Sequence, residues 1–213
     1  MWASAQLAVA RHARGPLLSP CRLRSRARLA PEVAERVSAW FTATPAAPDE
    51  AVLRSYRALE RDTARLFAVV RDELGVRVRY TRAQAYGSAA ELCAELRGRR
   101  TMTLTTGDQL HPLLGGTLDQ LRVVHDVFGH AALGLGFDLQ AEYATWLQCR
   151  ALFSAEARPA AFCELVGAVT AYVMTGAKPA LRAAVPPAAL QSSAAVFSSP
   201  REVIPSLTNT LRR

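Results

Sequence analysis

Two histidines five positions apart, with a glycine just before the second, place the tightest constraint on how this chain folds. The stretch is His125-Asp126-Val127-Phe128-Gly129-His130. Leu118, Leu121, His125 and Phe128 recur at steps of three, four and three, so His125 belongs to the buried face of a helix. Five residues advance a regular helix by about 500°, which leaves the two imidazoles some 140° apart. Gly129 is a place where the helix can end and the chain turn back, and such a break brings the two rings together where a straight helix would not. Without a metal, His125 is an ordinary core histidine bonded to a carbonyl.

Imidazole is the commonest protein ligand for a transition metal, and two histidines plus one carboxylate with positions left open form the facial site of non-haem Fe(II) oxygenases. Glu164 offers such a carboxylate, among Phe162, Cys163, Leu165, Val166, Ala168 and Val169. A buried ionised carboxylate costs several kcal/mol unless it is paired, protonated or metal-bound. The alternative without a metal pairs Glu164 with an arginine such as Arg158. Glu142 is the rival third ligand, and otherwise an acceptor for a ligand histidine or a charge favoured by its helix N-terminus. Asp126 follows Arg122 by four residues, so a surface ion pair accounts for it, with support of a ligand histidine as the alternative. His111, before Pro112, reaches the site as a substrate-binding group or an extra ligand. Tyr143, Trp146 and Tyr172 flank these carboxylates and line either a pocket or the core. The expected metal ligands are His125, His130 and Glu164, with His111, Glu142 and Asp126 as further catalytic candidates.

Three regions are expected. Residues 1–31 hold six arginines and no acid, and they read as a disordered extension that leaves His12 outside the fold. Residues 32–184 read as one metal-binding helical domain. Residues 185–213, rich in Pro, Ser and Ala, read as a flexible tail. Within the domain, Glu32–Phe41 predicts a short helix, and Asp49 caps a long one reaching Leu74, with Gly75 as its stop. Val76, Val78 and Tyr80 predict a half-buried strand, and Met102 with Leu104 a second. Ser88-x-x-Glu91 and Thr117-x-x-Gln120 are capping-box signatures, the first opening a helix to about Leu96. Asp108–Gly116 must be a loop. Asp138 caps a helix to about Phe153, and Pro159 begins one that stops at Gly176. The fold class is α+β, mostly helical, a single domain with a two- or three-stranded sheet.

The net charge of +8 falls to about +2 without the first 31 residues, and Lys178 is the only lysine. Nucleic-acid binding is therefore not the expected role. No apolar run reaches the roughly 18 residues of a membrane span. Cys21, Cys93, Cys149 and Cys163 form no Cys-x-x-Cys pair, so neither a zinc ribbon nor a disulfide framework is indicated, and a cytoplasmic setting is expected. The absence of a phosphate-cradling glycine loop argues against a kinase, a CoA-transferase or a dinucleotide enzyme.

The histidine stretch resembles the His-Glu-x-x-Gly-His motif of the pterin-dependent aromatic amino acid hydroxylases. That resemblance implies Fe(II) held by His125, His130 and Glu164, with a pterin or another reductant as electron donor. His125–Ala177 is similar also to a poorly characterised family of small bacterial and phage proteins, which share a His-Asp-x-Phe-Gly-His core, a Gly-Phe turn (Gly136-Phe137) and a glutamate ahead of a tryptophan (Glu142, Trp146). Asp126 stands where the hydroxylases have glutamate, Ala131-Ala132 where they have a proline, and no pterin-binding segment is recognisable. The expectation is an Fe(II)-dependent monooxygenase that uses O2 to hydroxylate a small molecule, an amino acid or a biosynthetic intermediate. The alternatives are a Zn(II)-dependent hydrolase or lyase on the same ligands, and a non-catalytic binding protein with structural histidines.

Overall fold

The structure, a computed structural model, describes residues 1–44, 47–107 and 110–193. Helices α1 (Ala3–His12), α2 (Pro20–Arg26) and α3 (Pro31–Ala43) precede the long α4 (Glu50–Ala68). The Asp49 carboxylate caps α4 by accepting from the Val52 N–H at 2.8 Å, as its position predicts. The helix continues through a π-helical turn, Val69–Glu73, and stops at Gly75, whose φ is +66°.

Strands β1 (Arg77–Thr81) and β2 (Thr101–Thr105) pair in parallel, Arg77 opposite Thr101, across the crossover helix α5 (Ala89–Arg99). The mostly helical α+β class with a two-stranded sheet is as expected. Ser88 accepts from the Glu91 N–H, and Glu91 answers on the Gly87 N–H, so the first capping box forms. Tyr80 departs from the expected half-buried alternation and is 56% exposed, although its register partner Leu104 is buried.

The second capping box does not form. Gly116 occupies the cap of α6 (Thr117–His125), and no side chain caps it. The amides of Thr117, Leu118 and Asp119 are met instead by the carbonyls of Leu114, Gly115 and Gly116. Asp138 caps α7 (Leu139–Cys149) through the Gln140 and Ala141 amides, both at 3.0 Å. That helix ends short of the expected Phe153. Helix α8 (Arg158–Phe162), a π-helical turn (Cys163–Gly167) and α9 (Ala168–Thr175) form one run that stops at Gly176, φ +70°. Helix α3 packs on α9, and α4 lies between α6 and α8.

The expected disordered extension is instead part of the core. Trp2, at the cap of α1, and Ala5, Ala8 and Val9 within it are buried, and so are Leu23, Ala27 and Leu29. The Trp2 N–H bonds the Ala131 carbonyl at 2.7 Å, beside His130. Two of the six arginines that suggested disorder find acids far along the chain: Arg14 meets buried Asp62 at 2.7 Å, and Arg11 meets Glu73 at 3.0 Å. His12 joins Glu73 at 2.8 Å. Asp62 also accepts from the Ser154 N–H, which ties α1, α4 and the segment after α7 together. At the other end, order passes the expected boundary at 184: Leu190 of α10 (Ala188–Ser193) is buried in the same core. The rest of the expected tail, 194–213, lies outside the described residues, as do positions 108–109 of the expected loop. Among the described residues no helix is long and apolar enough to cross a membrane.

Trp2→Ala is expected to lower stability by about 3 kcal/mol, the usual cost of deleting a buried tryptophan. The midpoint of urea denaturation reads it; a dangling extension would leave that midpoint unchanged.

Candidate metal centre

Helix α6 does not break at Gly129. It runs on into a π-helical turn, Asp126–Ala131, in which the Ala132 N–H reaches back to the Val127 carbonyl and the Leu135 N–H to that of His130. Each such turn takes up one residue more than an α-turn, so side chains five apart come to lie over one another. This corrects the expectation of a terminated helix: the fifth-residue spacing is bridged by a wider turn. His125 and His130 approach edge to face, ring centres 4.8 Å apart.

Gly129 has a different task from the one expected. A β-carbon there would stand 2.7 Å from Thr145 Cβ, so only glycine lets the π-helical turn press against α7. Gln148 of α7 donates through its amide to the Phe128 carbonyl inside that turn and accepts from Gln6 of α1 at 3.0 Å. The contact carries Glu142 of α7 up to both imidazoles.

His125 Nε2 lies 2.9 Å from Glu142 Oε2, His130 Nε2 lies 3.3 Å from Oε1, and the two Nε2 atoms are 3.1 Å apart. Among the described residues these three form the one group of histidine, cysteine and acidic side chains whose ligand atoms all lie within 4.8 Å of one another. Bonds of about 2.0–2.1 Å to a common cation give donor separations of roughly 2.9–3.4 Å at octahedral to tetrahedral angles, and the N–N distance and the two N–O distances, one to each carboxylate oxygen, fall in that range. The donor set fits a divalent transition metal. Neither Nδ1 has a hydrogen-bond partner, so Nε2 is the nitrogen each ring aims at the carboxylate.

Burial alone would raise the Glu142 carboxyl, but His130 and His125 beside it override that and hold it well below the usual carboxylate range. Burial would lower His130; the Glu142 carboxylate prevails and pushes it up to about 9. Asp126 is not a surface group paired with Arg122. Arg122 bonds Asp119 at 3.1 Å, and burial pushes the Asp126 carboxyl up against the pull of His130 and His125.

Glu164, expected as the third ligand, is outside the cluster. It sits in the π-helical turn between α8 and α9, where its Oε1 accepts from the Tyr56 hydroxyl and lies 3.1 Å from His111 Nε2. Arg158, its expected partner otherwise, bonds the carbonyls of Arg150 and Phe153. His111 Nδ1 accepts from the amides of Leu113 and Leu114, at 3.2 and 3.0 Å, so the ring proton sits on Nε2 and is donated to Glu164. A neutral ring in that tautomer has no lone pair for a metal at Nε2, which removes His111 as an extra ligand. Tyr56, buried on α4, is a participant that nothing in the sequence marks out, because its helical spacing is that of an ordinary core residue.

A cavity of about 680 Å³ opens beside the cluster. His125, Glu142 and Glu164 line it with the apolar Leu165, Ala168 and Val169, together with Tyr172, Arg122 and Lys178. Of the flanking aromatics, Tyr172 reaches the cavity, while Tyr143 and Trp146 are core. No family model matches the chain, nor does any curated protein or solved structure.

Gly129→Ala is expected to cost about 1–3 kcal/mol, through the forced separation from Thr145, and to weaken Zn(II) binding in the same protein. Calorimetric melting and metal titration read the two effects; an unchanged melting temperature would remove the close approach from the account. The pH dependence has a definite sign. His130 must lose its proton to bind a cation, so Zn(II) affinity should keep rising, about tenfold per unit, until pH reaches about 9. A plateau from about pH 6.5, the ordinary histidine value, would contradict the coupling. Without a cation the same pair stabilises the fold fully between the ordinary carboxylate range and about pH 6.5, loses this as acid protonates Glu142, and ceases to stabilise as pH rises past about 9.

Proposed function

We propose that this chain is a non-haem Fe(II)-dependent monooxygenase that hydroxylates a small molecule held in the cavity beside His125 and Glu142. The observation that carries the reading is the convergence, at the wall of a cavity, of two imidazole nitrogens and one carboxylate, with no further ligand in the group among the described residues. Three ligands on one side leave positions for O2 and substrate. The bound Fe(II) supplies the activation of O2, and a pterin or another external reductant supplies two electrons. The protein's part is to hold the donors and shape the space. His125 and His130 contribute neutral nitrogens, Glu142 one negative charge, and Leu165, Ala168 and Val169 a wall that excludes water from one side.

This reading moves the third ligand from Glu164 to Glu142. Four cysteines, all free and three of them buried, suit a reducing, cytoplasmic setting. The same two-histidine, one-glutamate set also suits Zn(II) in a hydrolase or lyase, where zinc lowers the pKa of bound water. The Fe(II) reading is preferred because the resemblance of the histidine motif points to iron.

Anaerobic titration with Fe(II) is expected to load about one ion per chain, and His125→Ala, His130→Ala and Glu142→Gln should each abolish loading. The loaded protein should then consume O2 with a reductant present. Retention of iron by Glu142→Gln would remove that residue as a ligand, and activity with Zn(II) but no O2 uptake would establish the hydrolase or lyase.

A further inference from the structure

We propose that Glu164 is the cavity's anchor for an ammonium group on the ligand, and is not a metal ligand. The inference rests on the assignment of the metal to His125, His130 and Glu142, and it adds the class of molecule that the cavity takes.

Glu164 has one oxygen fully engaged and one in reserve. Oε1 takes the Tyr56 hydroxyl and the His111 Nε2–H, while no hydrogen bond among the described residues reaches Oε2. Both donors are themselves fixed. Two backbone amides set the His111 tautomer, and the Tyr56 ring stacks on His111 with centres 5.4 Å apart and planes 14° from parallel. Such a cradle orients a carboxylate without cancelling its charge, because a phenol and a neutral imidazole bring none.

The cations that would ordinarily do so are turned elsewhere. Arg158 serves the carbonyls of Arg150 and Phe153. Arg182, whose own carbonyl lies 3.3 Å from His111 Nε2, directs one guanidinium nitrogen to the carbonyls of Phe41, Thr42 and Thr44 and makes no hydrogen bond to Glu164 among the described residues. The Glu164 side chain is only 5% exposed, and the exposure it has is to the cavity. A carboxylate kept from water and from arginine is met best by a charged donor entering that cavity. An ammonium brings the charge and its N–H groups, and its hydrocarbon body would lie along Leu165, Ala168 and Val169. Arg122 and Lys178 also line the cavity and favour an anion, but Arg122 is already joined to Asp119.

The test uses the full chain, Zn(II) as probe metal, and three probe ligands of one length: n-hexylamine, 1-hexanol and hexanoate. Glu164→Gln keeps the side-chain shape and an oxygen for Tyr56 and His111. It is expected to bind Zn(II) with the parent's stoichiometry. Calorimetric titration of the parent should show hexylamine bound about tenfold or more tightly than the alcohol or the acid, and Glu164→Gln should erase that preference. Loss of Zn(II) from Glu164→Gln would make Glu164 a ligand and overturn the proposal. Preference of the parent for hexanoate, or an amine preference that survives the substitution, would overturn it as well. The order of the three probes on the parent needs no variant, so it decides even if Glu164→Gln fails to fold. A parent that binds amine but no metal would sink the oxygenase reading and leave the anchor standing.

Discussion

The approach of the π-helical turn to α7 is the contact on which the rest of the centre depends. A β-carbon at Gly129 would collide with Thr145, three residues after Glu142, so the absence of a side chain there sets how near the carboxylate comes to the histidines. The wider turn supplies the other half, because in a regular helix His130 would face away from His125. Both features are needed. With the turn alone the rings converge and lack a carboxylate; with the close approach alone Glu142 meets one imidazole. The contact is in turn braced by α1, through Trp2 on the Ala131 carbonyl and Gln6 on Gln148.

One cavity thus holds two carboxylates in different chemical situations. Glu142 faces two imidazoles through their Nε2 atoms, and the mutual stabilisation of opposite charges keeps it ionised. Glu164 faces a phenol and an imidazole locked as a donor by the backbone. Burial pushes the Tyr56 hydroxyl well up, and the nearby Glu164 adds to this, so Tyr56 stays a proton donor to that carboxylate. The residue type is the same; the partners divide the tasks between them.

Much of this was legible in the sequence, and the failures have physical causes. The caps at Asp49, Ser88 and Asp138 and the stops at Gly75 and Gly176 act over three or four residues, and such signals survive without tertiary information. The capping box at Thr117 failed because Gly116 takes the cap position and a backbone turn from Leu114 already satisfies the Thr117 amide. The first 31 residues looked disordered because their charge was one-sided. Their acidic partners, Asp62 and Glu73, are 48 and 62 residues away, beyond any local pattern. The two histidines were recognisable from spacing and chemistry. The third member was not, since Glu142 and Glu164 both lie in apolar surroundings, and only the packing of α7 on the turn separates them. Resemblance pointed to Glu164, and the geometry gathers Glu142.

The most direct measurement of the central claim is the anomalous difference map of crystals grown with Fe(II) under anaerobic conditions, recorded at the iron edge. The account expects one peak bonded to His125 Nε2, His130 Nε2 and a Glu142 oxygen, at about 2.0–2.2 Å from each. A peak on Glu164, or density that leaves either imidazole unbound, would contradict it.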